Sequence, residues 1–124
     1  DAYNSNPGSL QAGIDVLVQY PGKKILVMGD MKELGNDEIE FHQQIGYYAS
    51  DAGVDCLFAI GPLSLETADI FKGDAMHFDD NDALIAALKP LLHAGVTVLV
   101  KGSNSMRLLN VVNALTEKSV EIVS

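Results

Sequence analysis

The stretch KILVMGD at positions 24–30 is a short apolar run that ends on a glycine and an acid. Three similar runs follow along the chain: CLFAIG at 56–61, MHFD at 76–79 and TVLVK at 97–101. Each run is continuously apolar rather than alternating, which is typical of strands that are covered on both faces. The four runs therefore predict the strands of a largely parallel sheet.

Longer segments with helical periodicity lie before, between and after these strands. They predict helices at 7–19, 37–53, 63–71, 82–93 and 105–118, with Asn6 as the first N-cap and Pro90 kinking or shortening the fourth helix. Strands that alternate with helices through short loops predict an α/β fold with helices on both faces of the sheet. Residues 120–124 fit either a short edge strand or a frayed end.

Composition narrows the class of protein. A length of 124 residues suits one domain, and 48% hydrophobic with 20% charged residues excludes a disordered chain. The single cysteine, Cys56, excludes a disulfide scaffold. No apolar run approaches the roughly 20 residues of a membrane span, and no signal-peptide pattern is present, so a cytoplasmic location without a membrane partner is expected.

The charge balance bears on possible ligands. Eight Lys and Arg against seventeen Asp and Glu give a net charge of −9, which argues against a nucleic-acid partner. It does not exclude small anions, because backbone donors and one lysine can bind a phosphate or a carboxylate.

Ligands of open parallel sheets bind outside the carboxyl ends of the strands. At the end of the last strand, Lys101 supplies a positive charge, Gly102 permits close backbone approach, and Ser103 with the next helix N-terminus offers donors to an anion. The same residues also fit a solvated lysine before a serine-capped loop. The pattern alone does not separate these two interpretations.

The string GDMKELG at 29–35 places Asp30, Lys32 and Glu33 in one tight connection, which fits either a binding loop or a plain turn. His42 fits a hydrogen-bonded packing histidine better than a catalytic base, and the three widely spaced histidines predict no metal site. Neither GxGxxG nor GxxxxGK(S/T) occurs, so no autonomous nucleotide-binding loop is predicted.

Four features taken together resemble the C-terminal domain of the Mur ligase family: DAYNSNPGS at 1–9, GDMKELG at 29–35, His42, and VLVKGSNSM at 98–106. The resemblance covers essentially the whole chain. It implies a Rossmann-like three-layer fold and a single domain, 1–124, of a three-domain bacterial ligase. An N-terminal UDP-substrate domain and a central P-loop ATPase domain would precede Asp1, which would explain both the abrupt start and the missing phosphate loop.

The resemblance also implies a reaction. It is greatest to the family member that adds D-Ala-D-Ala to UDP-N-acetylmuramoyl-tripeptide through an acyl phosphate made from ATP, in peptidoglycan precursor synthesis. ATP and Mg²⁺ would be held mainly by the central domain, so this chain would carry no catalytic residue and would be inactive alone. A monomer in which this domain contacts the central domain is expected.

Residue roles follow from the same resemblance. Asp1 and Asn4 match positions on the nucleotide side. The matches to the amino-substrate side are Tyr3, Asn6, Asp30, Lys101 and Ser103. Five further positions carry no single implied role: Lys32, Glu33, His42, Asn104 and Arg107. Asn104 stands where relatives often carry arginine, and Arg107, one helical turn on, is the candidate to replace it.

A free-standing two-component receiver domain is the alternative. Its size, its strand–helix alternation, an acid after the first strand and a lysine after the last strand all fit. Three features disfavour it: the acid after the first strand is single, glycine rather than proline follows Lys101, and a helix precedes the first strand.

Overall fold

A computed structural model describes residues 7–32, 34–102, 106–115 and 121–123. Within these ranges, five strands form one parallel sheet. The strands are β1 Lys23–Gly29, β2 Cys56–Ile60, β3 Asp74–Phe78, β4 Val96–Lys101 and β5 Glu121–Val123. The α-helices are α1 Pro7–Leu17, α2 Glu38–Ala52, α3 Ser64–Ile70, α4 Asn81–Leu88 and α5 Met106–Leu115.

The predicted α/β fold with a parallel sheet is confirmed, and two segments refine it. Residues 121–123 form an edge strand that pairs in parallel with β4, with Thr97 opposite Glu121. The fourth helix is shorter than the predicted range 82–93. It ends at Leu88, and Pro90 lies in a following 3₁₀ turn, Lys89–Leu91. The Asn6 cap prediction lies outside the described residues.

The core has two layers, one on each face of the sheet. Leu26 and Met28 of β1 belong to a cluster with Leu10 and Ile14 of α1 and Ile45 of α2. The alternate β1 residues Ile25 and Val27 join a cluster built with α4 and α5, which contribute Leu84, Leu88, Leu108 and Val112. Because successive β1 side chains enter different apolar layers, the strand has no polar face, and this explains its continuous apolar run.

The strand order is β3-β2-β1-β4-β5, which matches the first five positions of the Rossmann arrangement. The direction in which strands are added reverses between β1 and β4. Such a reversal leaves a crevice at the carboxyl ends of the strands, where ligands bind in open α/β sheets. We call the region at the carboxyl edge between the ends of β1 and β4 the switch-point crevice.

Helix α1 also begins at the carboxyl edge of the sheet. The segment after α1 leads to the opposite, amino edge, where the Lys23 N–H donates to the Gly95 carbonyl at 3.1 Å. The N-terminal end of α1 therefore lies at the carboxyl edge, together with the ends of β1 and β4.

The topology also decides between the two predicted classes. A receiver domain has the order 2-1-3-4-5, in which the first strand lies between the second and the third. Here β1 lies between β2 and β4. The receiver alternative is therefore wrong. Among the described residues, no helix combines the length and the apolar character needed to cross a membrane.

Candidate functional site

The ends of β1 and β4, on the two sides of the switch-point crevice, meet in a close contact between Gly29 and Gly102. A β-carbon on Gly102 would lie 2.7 Å from the nitrogen of Gly29 and 2.8 Å from its α-carbon. Gly102 also has a φ of +136°, a left-handed value that side chains strain to adopt. Glycine at 102 is therefore required for the main chains of β1 and β4 to approach this closely.

Lys101 is the last residue of β4 and pairs with Met28 of β1. Its side chain is only 2% exposed. Its Cε lies 3.6 Å from the position of a β-carbon on Gly13 of α1, and Leu99 packs against the same glycine. The absence of a side chain at Gly13 lets α1 approach the sheet closely enough to cover the aliphatic part of Lys101.

Within the described ranges, no hydrogen bond or ion pair reaches the Lys101 ammonium group. An ammonium group without a partner can form a charge-assisted hydrogen bond with an anion. An anionic group placed at the switch-point crevice would supply that partner. Lys101 therefore ends β4 beside the crevice, with the aliphatic part of its side chain covered by α1. Its predicted contact with the amino substrate stays a prediction.

Asp30 follows β1 and has a clear architectural role. Its carboxylate accepts the Ser64 N–H at 2.7 Å and the Leu63 N–H at 3.2 Å, both at the start of α3. The carbonyl of Gly61 in the same connection accepts a hydrogen bond from His77 Nε2 at 2.7 Å. Asp30 thus holds the β2–α3 loop against the end of β1. Its predicted contact with the amino substrate stays a prediction.

His42 lies on α2 and is fully buried. Its Nε2 accepts the Met31 N–H at 3.0 Å, and its Nδ1 lies 2.6 Å from the Glu38 carbonyl. Since an N–H only donates and a carbonyl only accepts, the ring is neutral with its proton on Nδ1. The expectation of a hydrogen-bonded packing histidine agrees with this geometry.

Lysine and arginine residues lie at the switch-point crevice although the chain is acidic overall. Lys32 follows β1, Lys101 ends β4, and Arg107 lies in the first turn of α5; Lys32 and Arg107 are both exposed. Asp79 and Asp80 follow β3, two strands away, and the Asp80 carboxylate accepts the Ala83 N–H at 2.8 Å as the cap of α4. Asp30 adds a carboxylate at the end of β1, so the crevice carries charges of both signs in a chain of net charge −9.

Several predicted site residues lie outside the described residues. They are Asp1, Tyr3, Asn4, Asn6, Glu33, Ser103 and Asn104. Of the predicted positions that the structure describes, Asp30 and Lys32 lie on the β1 side of the crevice and Lys101 and Arg107 on the β4 side. The sequence reasoning missed Gly13, whose only signal was a glycine inside a helical pattern.

The chain is similar to known proteins along nearly its whole length. The family model described as "Mur ligase, glutamate ligase domain" matches residues 1–104. The UDP-N-acetylmuramoyl-tripeptide–D-alanyl-D-alanine ligase of Escherichia coli is 43% identical over 121 residues, covering 94% of this chain and 26% of that protein. The ligase of the same description from Bacillus subtilis is 35% identical over 124 residues, covering 94% and 27% respectively.

The chain is also similar to solved structures of MurF ligases. The crystal structure of MurF ligase from Thermotoga maritima in complex with ADP matches with a TM-score of 0.76 and 30% identity, covering 93% of this chain and 26% of that one. A crystal structure of MurF from Acinetobacter baumannii has the same TM-score of 0.76 at 27% identity. The chain thus spans about a quarter of the length of the relatives and structures that it matches.

Proposed function

Since this chain belongs to the Mur ligase family as a glutamate ligase domain, we propose that it is the amino-substrate-binding domain of an ATP-dependent peptide ligase. The proposed enzyme adds D-Ala-D-Ala to UDP-N-acetylmuramoyl-tripeptide in peptidoglycan precursor synthesis. The observation that carries the proposal is Lys101, a covered cation at the switch-point crevice without a partner among the described residues. The names of the relatives supply the substrates.

The proposed organisation is one domain over residues 1–124, preceded in the longer protein by an N-terminal UDP-substrate domain and a central ATPase domain. Two observations support it. The relatives are about four times longer than this chain, and the sequence lacks a phosphate-binding loop of its own. We place the enzyme in the bacterial cytoplasm as a monomer.

ATP and Mg²⁺ belong mainly to the central domain in this proposal. Asp1 and Asn4 would face the nucleotide from this side. Among the described residues, no group of three or more His, Cys, Asp or Glu side chains could hold a metal ion. The donors at the crevice are cations and a helix N-terminus, which suit a carboxylate, so no step of Mg²⁺ chemistry is assigned to this chain.

The reaction sets the task of the domain. ATP phosphorylates the carboxylate of the tripeptide, and the amine of D-Ala-D-Ala attacks the resulting acyl carbon. The new amide bond forms as phosphate leaves and the amine loses a proton. The dipeptide must therefore present its amine while its own carboxylate is held elsewhere. Lys101, the N-terminus of α5 and Ser103 would hold that carboxylate, and orientation of this kind supplies much of the rate.

The test is phosphate release by the longer protein that contains this chain. With ATP, Mg²⁺ and UDP-N-acetylmuramoyl-tripeptide present, we expect release to depend on D-Ala-D-Ala and to match amide formation one for one. The matched control replaces the dipeptide by its C-terminal amide, which keeps the amine and removes the carboxylate charge. Phosphate release that is independent of the dipeptide would contradict the proposal.

A further inference from the structure

We propose that His42 is a positioning residue for the β1 side of the switch-point crevice. In this proposal its neutral ring fixes the main chain at Met31, the residue that follows Asp30, and so keeps the β1–α2 loop in the shape that the amino substrate meets. The kinetic part of this inference rests on the proposed function. Its structural part does not.

The two ring nitrogens of His42 connect the two ends of the β1–α2 loop through hydrogen bonds, and we call this connection the His42 tie. Its Nε2 receives the Met31 N–H at 3.0 Å, where the loop begins, and its Nδ1–H reaches the Glu38 carbonyl at 2.6 Å, where the loop becomes α2. One buried side chain therefore closes the loop at both ends. A ring protonated on both nitrogens has no acceptor left, so only the neutral form can make both bonds.

Neighbouring bonds anchor the tie to the rest of the fold. The Thr67 hydroxyl of α3 donates to the main-chain carbonyl of His42 at 2.7 Å. Asp30 in turn holds the start of α3 through the Ser64 N–H at 2.7 Å. The chain of contacts thus runs from the end of β1 to α3, to α2, and back to the loop at Met31. Of these contacts, the hydrogen bond from the Met31 N–H to His42 Nε2 is the one that holds the loop beside the crevice.

The two ring bonds can be separated by substitution. In His42→Gln the side-chain oxygen can take the place of Nε2 and accept the Met31 N–H, while the donor to Glu38 is lost. In His42→Asn the amide nitrogen can take the place of Nδ1 and donate to Glu38, while the acceptor for Met31 is lost. Thr67→Val is the matched control, because it weakens the α2–α3 contact and leaves both ring bonds intact.

Amide hydrogen exchange in the 124-residue chain tests the tie directly. We expect exchange at Met31 to become about tenfold faster, or more, in His42→Asn, because a buried hydrogen bond is lost. Exchange at Met31 in His42→Gln and Thr67→Val should stay close to that of the parent chain. Each rate is first corrected for the change in the free energy of global unfolding of that variant.

Steady-state kinetics of the longer ligase test the functional part. His42→Asn should raise the KM for D-Ala-D-Ala about tenfold with a smaller change in kcat, and His42→Gln should restore most of the loss. Equal KM values in the Asn and Gln variants would overturn the proposal, as would unchanged Met31 exchange in the Asn variant. If His42→Asn does not fold, His42→Gln decides: retained Met31 protection and KM support the tie, and their loss refutes it. A parent protein without ligase activity would refute the proposed function and leave the exchange result standing.

Discussion

Replacing Lys101 by methionine tests the proposed carboxylate site most directly. The Lys101 side chain is 2% exposed and lies against Gly13, so Lys101→Ala would open a cavity as well as remove a charge. Methionine keeps an unbranched stem of similar length and removes only the ammonium group. The stability of the 124-residue chain should not fall, since no described residue pairs with that charge.

The expected loss follows from the strength of a charge-assisted hydrogen bond. Such a bond contributes about 1.5–3 kcal/mol, which corresponds to a ten- to roughly 150-fold increase in the KM for D-Ala-D-Ala. The KM for ATP should change little, because the nucleotide is held mainly by the central domain in the proposed enzyme. For the C-terminal amide of the dipeptide, the parent and the variant should have similar KM values, since no carboxylate is present to pair with Lys101.

The assay is phosphate release by the longer ligase, with the dipeptide varied at saturating ATP and then the reverse. Lys72→Met is the matched control: this lysine lies at the opposite edge of the sheet, its side chain is 70% exposed, and its ammonium group lies 4.0 Å from the Asp51 carboxylate. Loss of such a surface pair changes the free energy of unfolding by about 0–1 kcal/mol and should leave both KM values unchanged. A rise in the KM for ATP without one for the dipeptide would refute the reasoning and assign Lys101 to the phosphate side.

Three further outcomes are expected. The purified 124-residue chain should neither hydrolyse ATP nor form amide bonds, which phosphate release and mass spectrometry would show; turnover that persists through repurification would contradict this. Gly102→Ala should lower the free energy of unfolding by about 2–4 kcal/mol in urea melts, because its β-carbon would lie 2.7 Å from the nitrogen of Gly29. Gly95→Ala, at a φ of +86° with open space, should cost only about 1–2 kcal/mol, and equal losses would mean that crowding is unimportant. The hydrogen bond to Asp15, with burial and the Asp15 charge, raises the pKa of Tyr48 above its usual 10.0. The folded chain then holds this proton more tightly than the unfolded chain, so the contribution is complete below about pH 10 and is lost as the pH rises through the folded value. Tyr48→Phe should remove this alkaline loss from urea melts, and an unchanged pH profile would contradict the assignment.

The sequence predicts the layers of this fold well because its strands are buried on both faces. Residues 25–28 carry no polar side chain, since alternate residues enter the two halves of the core. The order of the strands is less accessible, because alternation of strands and helices does not say on which side of β1 the chain places β4. β5 is only three residues long, too short to show a periodic pattern, and the parallel pairing with β4 defines it as a strand.

The site is predicted less completely, for a physical reason. Lysine is usually solvent-exposed, so nothing in KGS indicates that Lys101 is covered. Its burial depends on Gly13, a residue of another element at a distant position in the sequence. Asp30 shows the same limit, because GDMKELG fits a turn or a binding loop equally, and the bonds from Leu63 and Ser64 are long-range contacts.

The two sides of the switch-point crevice are built differently, and the difference suits the proposed ligase, which must orient one reacting amine. On the β1 side, Asp30 and Met31 are held by bonds to α3 and α2. The polar groups of Asp30 and Met31 already have hydrogen-bond partners, so this side is held in one conformation and can fix the orientation of a ligand. On the β4 side, Lys101 has a fixed stem and an ammonium group that no described residue neutralises. In the proposed enzyme, a bound carboxylate would therefore gain free energy on the β4 side, while the β1 side would limit the directions in which the rest of the dipeptide can extend. Affinity and orientation then depend on different residues, which is why Lys101→Met should act through the carboxylate and His42→Asn through the shape of the loop.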